Sequence, residues 1–164
     1  MTLLLEKHEV VDALDAKPLT IKQASVEFRN VSFSYQGAGT IFSNLSVKIA
    51  AGSKVGLVGY SGSGKSSFVN LILRLYEVSS GEIEIQGQNI SSVTQNTLRH
   101  HISVIPQDIN LFHRSLMDNI RYGDVEASDE AVIEASKRAH CHEFIMQLPD
   151  GYNTLVGERG IKLS

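Results

Sequence analysis

The stretch Gly59-Tyr60-Ser61-Gly62-Ser63-Gly64-Lys65-Ser66-Ser67 concentrates the residue types that grip phosphate. Gly59, Gly64, Lys65 and Ser66 fall in the spacing G-x-x-x-x-G-K-[ST], where glycines leave backbone N–H groups free to turn inward around an anion. Gly62 loosens the loop further. A helix starting near Lys65 adds the positive end of its dipole. From there the Lys65 ammonium can reach the β- and γ-phosphates of a nucleoside triphosphate, and the Ser66 hydroxyl can take one position on Mg2+.

Such a loop works only between a strand and a helix, and the flanking residues predict both. Val55, Leu57 and Val58 form a short apolar run of the kind that suits a buried parallel strand. Phe68, Val69, Leu71, Ile72, Leu73, Leu75 and Tyr76 predict a helix, apolar almost all round and packed deep, that runs on from Lys65 through Tyr76. Upstream, Ser25 to Tyr35 alternates in the antiparallel manner, with an Arg29-Asn30 turn, and Ile41 to Ala50 resumes the alternation. Downstream, Ile83 and Ile85 predict another strand, Val93 to His101 a short helix, and Ile102, Val104 and Ile105 a second apolar strand ending at Pro106-Gln107-Asp108. Gln107 thereby stands beyond a strand end, where open α/β sheets hold ligands. Met117 to Ile120 and Ser128 to His142 read as helices, the latter with Ser128 as N-cap. Leu3 to Ala16 has helical spacing that ends at Pro18.

At 164 residues the chain is long enough for one domain with a real core, and its hydrophobic fraction of 42% fits a globular protein. Fifteen basic against eighteen acidic residues, net charge −3, give no case for a nucleic-acid partner. The single cysteine, Cys141, excludes an internal disulfide and fits a reducing compartment. No apolar run approaches the roughly 20 residues needed to span a bilayer, so the chain itself is expected to be soluble. His140-Cys141-His142 is a poor metal site, because consecutive helical side chains diverge. Arg74, Arg99, Arg121 and Arg138 are scattered and read as surface charge.

In their order these positions resemble the nucleotide-binding domain of ATP-binding-cassette (ABC) transporters, and within that family the exporter type. Ser32-Phe33-Ser34-Tyr35 lies where the family has its aromatic A-loop, which implies that Tyr35 stacks on adenine. Gly59 to Ser66 is similar to the phosphate loop. Val104-Ile105-Pro106-Gln107-Asp108 is similar to the Q-loop, whose glutamine touches Mg2+ and the attacking water. Asn110 to Phe112 and Asp118 to Gly123 look like the stretch that meets the membrane domain, although His113-Arg114-Ser115-Leu116 replaces the usual small-residue turn. Gly157-Glu158-Arg159-Gly160 resembles the exporter X-loop, and Leu163-Ser164 would open the signature sequence. The implied fold is α/β, a P-loop NTPase (RecA-like) core with an antiparallel β-subdomain and the start of a helical subdomain, incomplete at the C-terminus. The implied division is a linker from a membrane domain over 1–24, the β-subdomain and phosphate-loop core over 25–107, and a partial helical subdomain over 108–164.

The resemblance implies ATP and Mg2+ as ligands, a transmembrane domain and a second nucleotide-binding domain as partners, and the cytoplasmic face of a membrane as location. The catalytic candidate is Gln107. The nucleotide-binding candidates are Tyr35, Gly59, Tyr60, Ser61, Gly62, Ser63, Gly64, Lys65, Ser66 and Ser67, and the metal candidates are Ser66 and Gln107. Departures matter as well: no Gly-Gly-Gln follows Ser164, and no run of four apolar residues ending in Asp follows Lys65. Without the Walker B carboxylates, binding with scarcely any hydrolysis is expected, along with poor folding of an incomplete sheet. The alternatives are a non-catalytic nucleotide-binding or interaction module and another P-loop enzyme. A GTPase would carry Asp-x-x-Gly and Asn-Lys-x-Asp, and neither occurs.

Overall fold

The computed structural model describes residues 10–37, 39–107 and 110–157, and the chain divides into two units, Met1–Val104 and Ile105–Ser164. The Leu3–Glu9 part of the helix predicted over Leu3 to Ala16, Asp108, and the motif residues Glu158-Arg159-Gly160 and Leu163-Ser164 lie outside the described residues.

The first unit is built on β1 (Val26–Ser34), β2 (Thr40–Ile49), β3 (Ser80–Ile85) and the short β4 (Gln88–Asn89), in the order β2-β1-β3-β4 and antiparallel throughout. Alternation does what a period of two requires: Phe28, Val31 and Phe33 of β1 and Ile83 and Ile85 of β3 turn to the core. The expected Arg29-Asn30 turn is instead a bulge within one continuous strand. Asn30 takes a left-handed φ of 49°, and its N–H donates to Ser46 Oγ at 2.9 Å. Helix α1 (Lys65–Ile72) lays Phe68 flat on Phe28, ring centroids 4.3 Å apart, and buries Leu71 completely.

The helix predicted through Tyr76 stops at Ile72, and its last turn shows why. Leu75 N–H donates to Asn70 O and Arg74 N–H to Leu71 O, both at 3.0 Å, with Arg74 in the left-handed region at φ 50°. This is the paired closure of a Schellman motif, with arginine where glycine is usual. The Arg74 guanidinium, expected at the surface, is instead buried, the residue being only 3% exposed. It donates to Ile90 O, Val93 O and Val11 O at 3.1–3.2 Å and pairs with Glu77 and Asp12.

Val10 to Ala16 is not helical. It is held in place by those contacts and by the Asp12 carboxylate, which accepts from Gln95 N–H and so caps α2 (Gln95–His100) from outside that helix, and it turns at Leu14-Asp15, where Ala16 N–H donates to Ala13 O at 3.0 Å. The segment continues along the same edge: Lys17 bridges Val93, Leu19 is buried, and the Gln88 side chain pairs with both backbone groups of Thr20.

The two parallel strands predicted at Val55–Val58 and Ile102–Ile105 do not form. Val58 is 97% and Ile105 87% exposed, and among the described residues no segment offers either run a ladder of donors and acceptors. A parallel strand exists only through its neighbours, and apolar character alone does not make one.

The second unit is helical. Ser115 caps α3 (Leu116–Arg121), accepting from Asp118 N–H and donating to its carboxylate at 2.6 Å. Ser128 caps α4 (Asp129–Arg138) as expected, but α4 ends at Arg138, short of His142. His140 takes φ 56°, its N–H donates to Lys137 O, and Cys141 N–H donates to Ser136 O, a second Schellman closure. The chain restarts as α5 (His142–Met146), with His142 Nδ1 2.9 Å from the Tyr152 hydroxyl. Leu116, Ile145, Tyr152 and Val156 form this unit's core.

Candidate functional site

Between Gln36 and Tyr76 the chain carries no carboxylate, while Lys48, Lys54, Lys65 and Arg74 supply positive charge. Within that stretch β2 and α1 close on the loop Gly59–Gly64. Gly64 is the N-cap of α1, with φ 91° and no side chain bonded to the first turn, so the opening N–H groups of the helix have no internal competitor. A Cβ there would stand 2.8 Å from Ile41 Cγ2 and 2.9 Å from Phe42 Cζ, both on β2. One at Gly59 would meet Ser63 Oγ at 2.5 Å. At Gly64 the left-handed φ and the two apolar side chains together require glycine, whereas at Gly59 a Cβ would have to push the Ser63 side chain aside.

Lys65 folds across the loop. Its ammonium donates to Gly59 O at 2.8 Å and Tyr60 O at 2.7 Å, with Ser63 Oγ at 3.4 Å. Three acceptors thus engage the three donors of a group whose natural counterpart is an anion. A cavity of about 360 Å³ opens beside it, lined by Ser61, Gly62, Gly64, Lys65, Ser66 and Ser67 on the loop side and by Tyr35 and Ile41 opposite. Its size is that of a small-ligand site.

Tyr35 stands just past β1, half-buried, with ring centroids 4.8 Å from Phe33 and 4.9 Å from Tyr76, both edge-on. Its hydroxyl lies 3.0 Å from Ser67 Oγ. The candidate residues of the first unit are therefore gathered at one place, with two exceptions of emphasis. Tyr60 projects into solvent, 91% exposed, and contributes only its carbonyl. Ser63 serves Lys65 and is not among the cavity's lining residues. Gln107 belongs to the second unit, where it is exposed at a bend.

Sequence reasoning missed Ile41 and Phe42, which press on Gly64, and Tyr76, which backs Tyr35. The alternation of β2 marks the first two as apolar, but nothing local says that they face the loop.

The residues fit a Mg2+ nucleotide. The cradle is one that a Cβ would fill, Lys65 and the α1 N-terminus favour polyphosphate, and the Ser66 hydroxyl is exposed at the first turn. Among the described residues no group of three His, Cys, Asp or Glu could hold a metal by itself. That suits Mg2+, which is bound chiefly through phosphate oxygens and water.

Residues 42–164 match the family described as ABC transporter. An uncharacterized ABC transporter ATP-binding protein of Haemophilus influenzae is 44% identical over 100% of this chain and 28% of its own length. ATP-binding cassette sub-family B member 6 of Homo sapiens is 48% identical over 99% of the chain and 19% of its length. The mitochondrial iron-sulfur clusters transporter atm1 of Neurospora crassa is 49% identical over 92% and 21%. Among solved structures, a bacterial Atm1-family ABC exporter with ATP bound superposes with a TM-score of 0.87 at 45% identity, over 99% of this chain and 29% of the other. The chain thus spans between about a fifth and a third of the proteins it matches. Its fold is the α/β P-loop NTPase domain of that family, with an antiparallel sheet.

Proposed function

This chain belongs to the ABC transporter family, and from that premise we propose that it is the ATP-binding part of an exporter ATPase that powers transport across a membrane. The observation that carries the proposal is the glycine cradle at Gly59 and Gly64 closed around Lys65, with the open N-terminus of α1 behind it. A triphosphate entering the loop exchanges the Gly59 and Tyr60 carbonyls for phosphate oxygens on the Lys65 ammonium, while loop and helix N–H groups receive the remaining charge. Ser66 is the group of the loop that would hold Mg2+, which when bound neutralises phosphate charge and orients the γ-phosphate, and Gln107 of the second unit is kept as the other metal candidate on the family resemblance alone. Tyr35 supplies the platform for the base.

These 164 residues contain no Walker B carboxylate pair. Hydrolysis by this chain alone is therefore expected to be close to nil while binding persists. In the parent protein the partners are a transmembrane domain and a second nucleotide-binding domain, at the cytoplasmic face of a membrane. Residues 1–24 then serve as the lead-in from the membrane domain and 108–164 as part of the helical subdomain. No helix among the described residues is long and apolar enough to cross a membrane.

Calorimetric titration with Mg-ATP, run beside a phosphate-release assay, tests the proposal. Binding abolished by Lys65→Ala, with no release above background, is the expected result. Binding indifferent to Lys65→Ala removes the phosphate-loop assignment. Release that disappears in Lys65→Ala overturns the claim of inactivity.

A further inference from the structure

Residues 10–23 run along the edge formed by β4 and α2, and they are held there differently from the strands of the sheet. In this stretch only Leu19 is buried. Two backbone bonds tie the stretch to the body, from Lys17 N–H to Ser92 O at 3.1 Å and from Thr94 N–H to Lys17 O at 3.0 Å. The rest of its attachment is made by side chains. The Gln88 carboxamide accepts from Thr20 N–H at 3.3 Å and donates to Thr20 O at 2.7 Å, in imitation of a strand partner. The Gln86 carboxamide oxygen accepts from both Lys22 and Gln23 N–H, and Thr97 Oγ1 accepts from Leu19 N–H. A strand cannot leave its ladder without stripping the backbone of its neighbour, whereas side chains of this kind turn to water when their partner departs.

At its front end the stretch meets Arg74. Two partners of the guanidinium, Val11 O and the Asp12 carboxylate, lie on the stretch, and the others, Glu77, Ile90 O and Val93 O, lie on the body. Asp12 accepts from Gln95 N–H as well, so one carboxylate joins the closure of α1 to the first turn of α2. Arg74 is itself the left-handed residue of that closure, and such a backbone state in a residue with a side chain persists when contacts outside the helix hold it.

We propose that residues 10–23 form a strap that docks and lifts as a single piece, with Asp12 and Arg74 as its clasp. The sheet stays intact when the strap lifts, because β1, β2 and β3 pair through their own backbones. A pull on the chain ahead of Val10 is therefore delivered to the end of α1 and the start of α2, not to the sheet. The device works in the same way whichever ligand the phosphate loop takes.

The test is amide hydrogen exchange on the full chain, read residue by residue by mass spectrometry with fragmentation, for the natural protein, Asp12→Asn and Gln88→Ala. The two substitutions touch opposite ends of the strap, and both spare the buried Arg74. Thr94 and Gln95 are the reporters on the body, since the acceptors of their N–H groups, Lys17 O and the Asp12 carboxylate, belong to the strap. Gln88→Ala removes neither of those bonds, yet it is expected to speed exchange at Thr94 and Gln95 by about three- to tenfold, the range of one hydrogen bond. Asp12→Asn is expected to do the same at Leu19, Thr20, Lys22 and Gln23. Both should speed exchange at Leu75, whose N–H closes α1, and leave the β1–β2 pairing unchanged. Faster exchange only beside each substitution, or none, would show that the stretch does not move as one piece and overturn the proposal. An equal rise in β1 and β2 would overturn it too, by making the strap inseparable from the global fold. Leu75 unchanged in both variants would show Arg74 held by the body alone and remove the clasp.

Discussion

At the scale of single residues, Arg74 sends its guanidinium donors to the carbonyls of Val11, Ile90 and Val93 and to the carboxylates of Asp12 and Glu77. Arg74→Ala leaves buried carbonyls without donors, whereas the two carboxylates, partly exposed, regain water. The expected loss is about 3 kcal/mol, read as a lower urea midpoint at unchanged slope. Arg74→Lys recovers only part of it, since an ammonium cannot fork to carbonyls on opposite sides. Glu27 gives a prediction of different kind. Hydrogen bonds from Arg29, then from Lys48, hold its carboxyl below the ordinary carboxylate range. Because the folded value is the lower one, its contribution to stability is present above the unfolded value and disappears as pH falls through the folded one. The melting difference between the natural chain and Glu27→Gln should therefore shrink between about pH 6 and about pH 3, and shrink also with salt. Lys65 and Arg74 show what sequence makes legible at this scale. Lys65 is announced by the glycines before it. Arg74 owes its burial to partners at positions 11, 90 and 93 that no local pattern connects, so its charge alone read as surface.

Among the elements, caps and alternation were the legible features, and closures the illegible ones. Ser128 and the period-two runs of β1 and β2 carry their reasons in neighbouring residues. The ends of α1 and α4 depend on Arg74 and His140 entering the left-handed region, which few non-glycine residues do and which neither side chain advertises. The bulge in β1 has a partner that sequence could hint at only as a turn. Gly81, φ 79°, lies so close to the β1 backbone that a Cβ would stand 2.4 Å from both Arg29 O and Asn30 O. Gly81→Ala therefore meets rigid backbone and an unfavourable φ together, and a destabilisation of about 2 kcal/mol or more is expected from thermal melts. Asn30→Gly at the bulge itself should be far milder, since it relieves the left-handed φ while giving up the side-chain bond from Ser46.

For the molecule as a whole, the first unit's sheet carries α1 on one face, and the β2 edge of that same apolar face stays open. Phe42, Leu45, Val47 and Ile49 of β2 face Val55, Leu57 and Val58 across a groove of about 280 Å³. Val55, Leu57 and Val58 are 54%, 43% and 97% exposed. The apolar runs were plain in the sequence, but whether they become strands depends on neighbours that a single run does not specify, which is why strand type was legible here and strand formation was not. An exposed patch of this kind drives association, because burying it against another apolar surface releases about 25 cal/mol per Å². Light scattering is expected to show species larger than one chain, growing with protein concentration and with added sulfate, which strengthens apolar burial. Val58→Lys places a charge at the most exposed point of the groove and should shift the distribution toward the monomer, whereas Val125→Lys, on an exposed valine of the second unit, should not. A monomer at all concentrations, or equal effects of the two substitutions, would show that the groove is not what brings chains together.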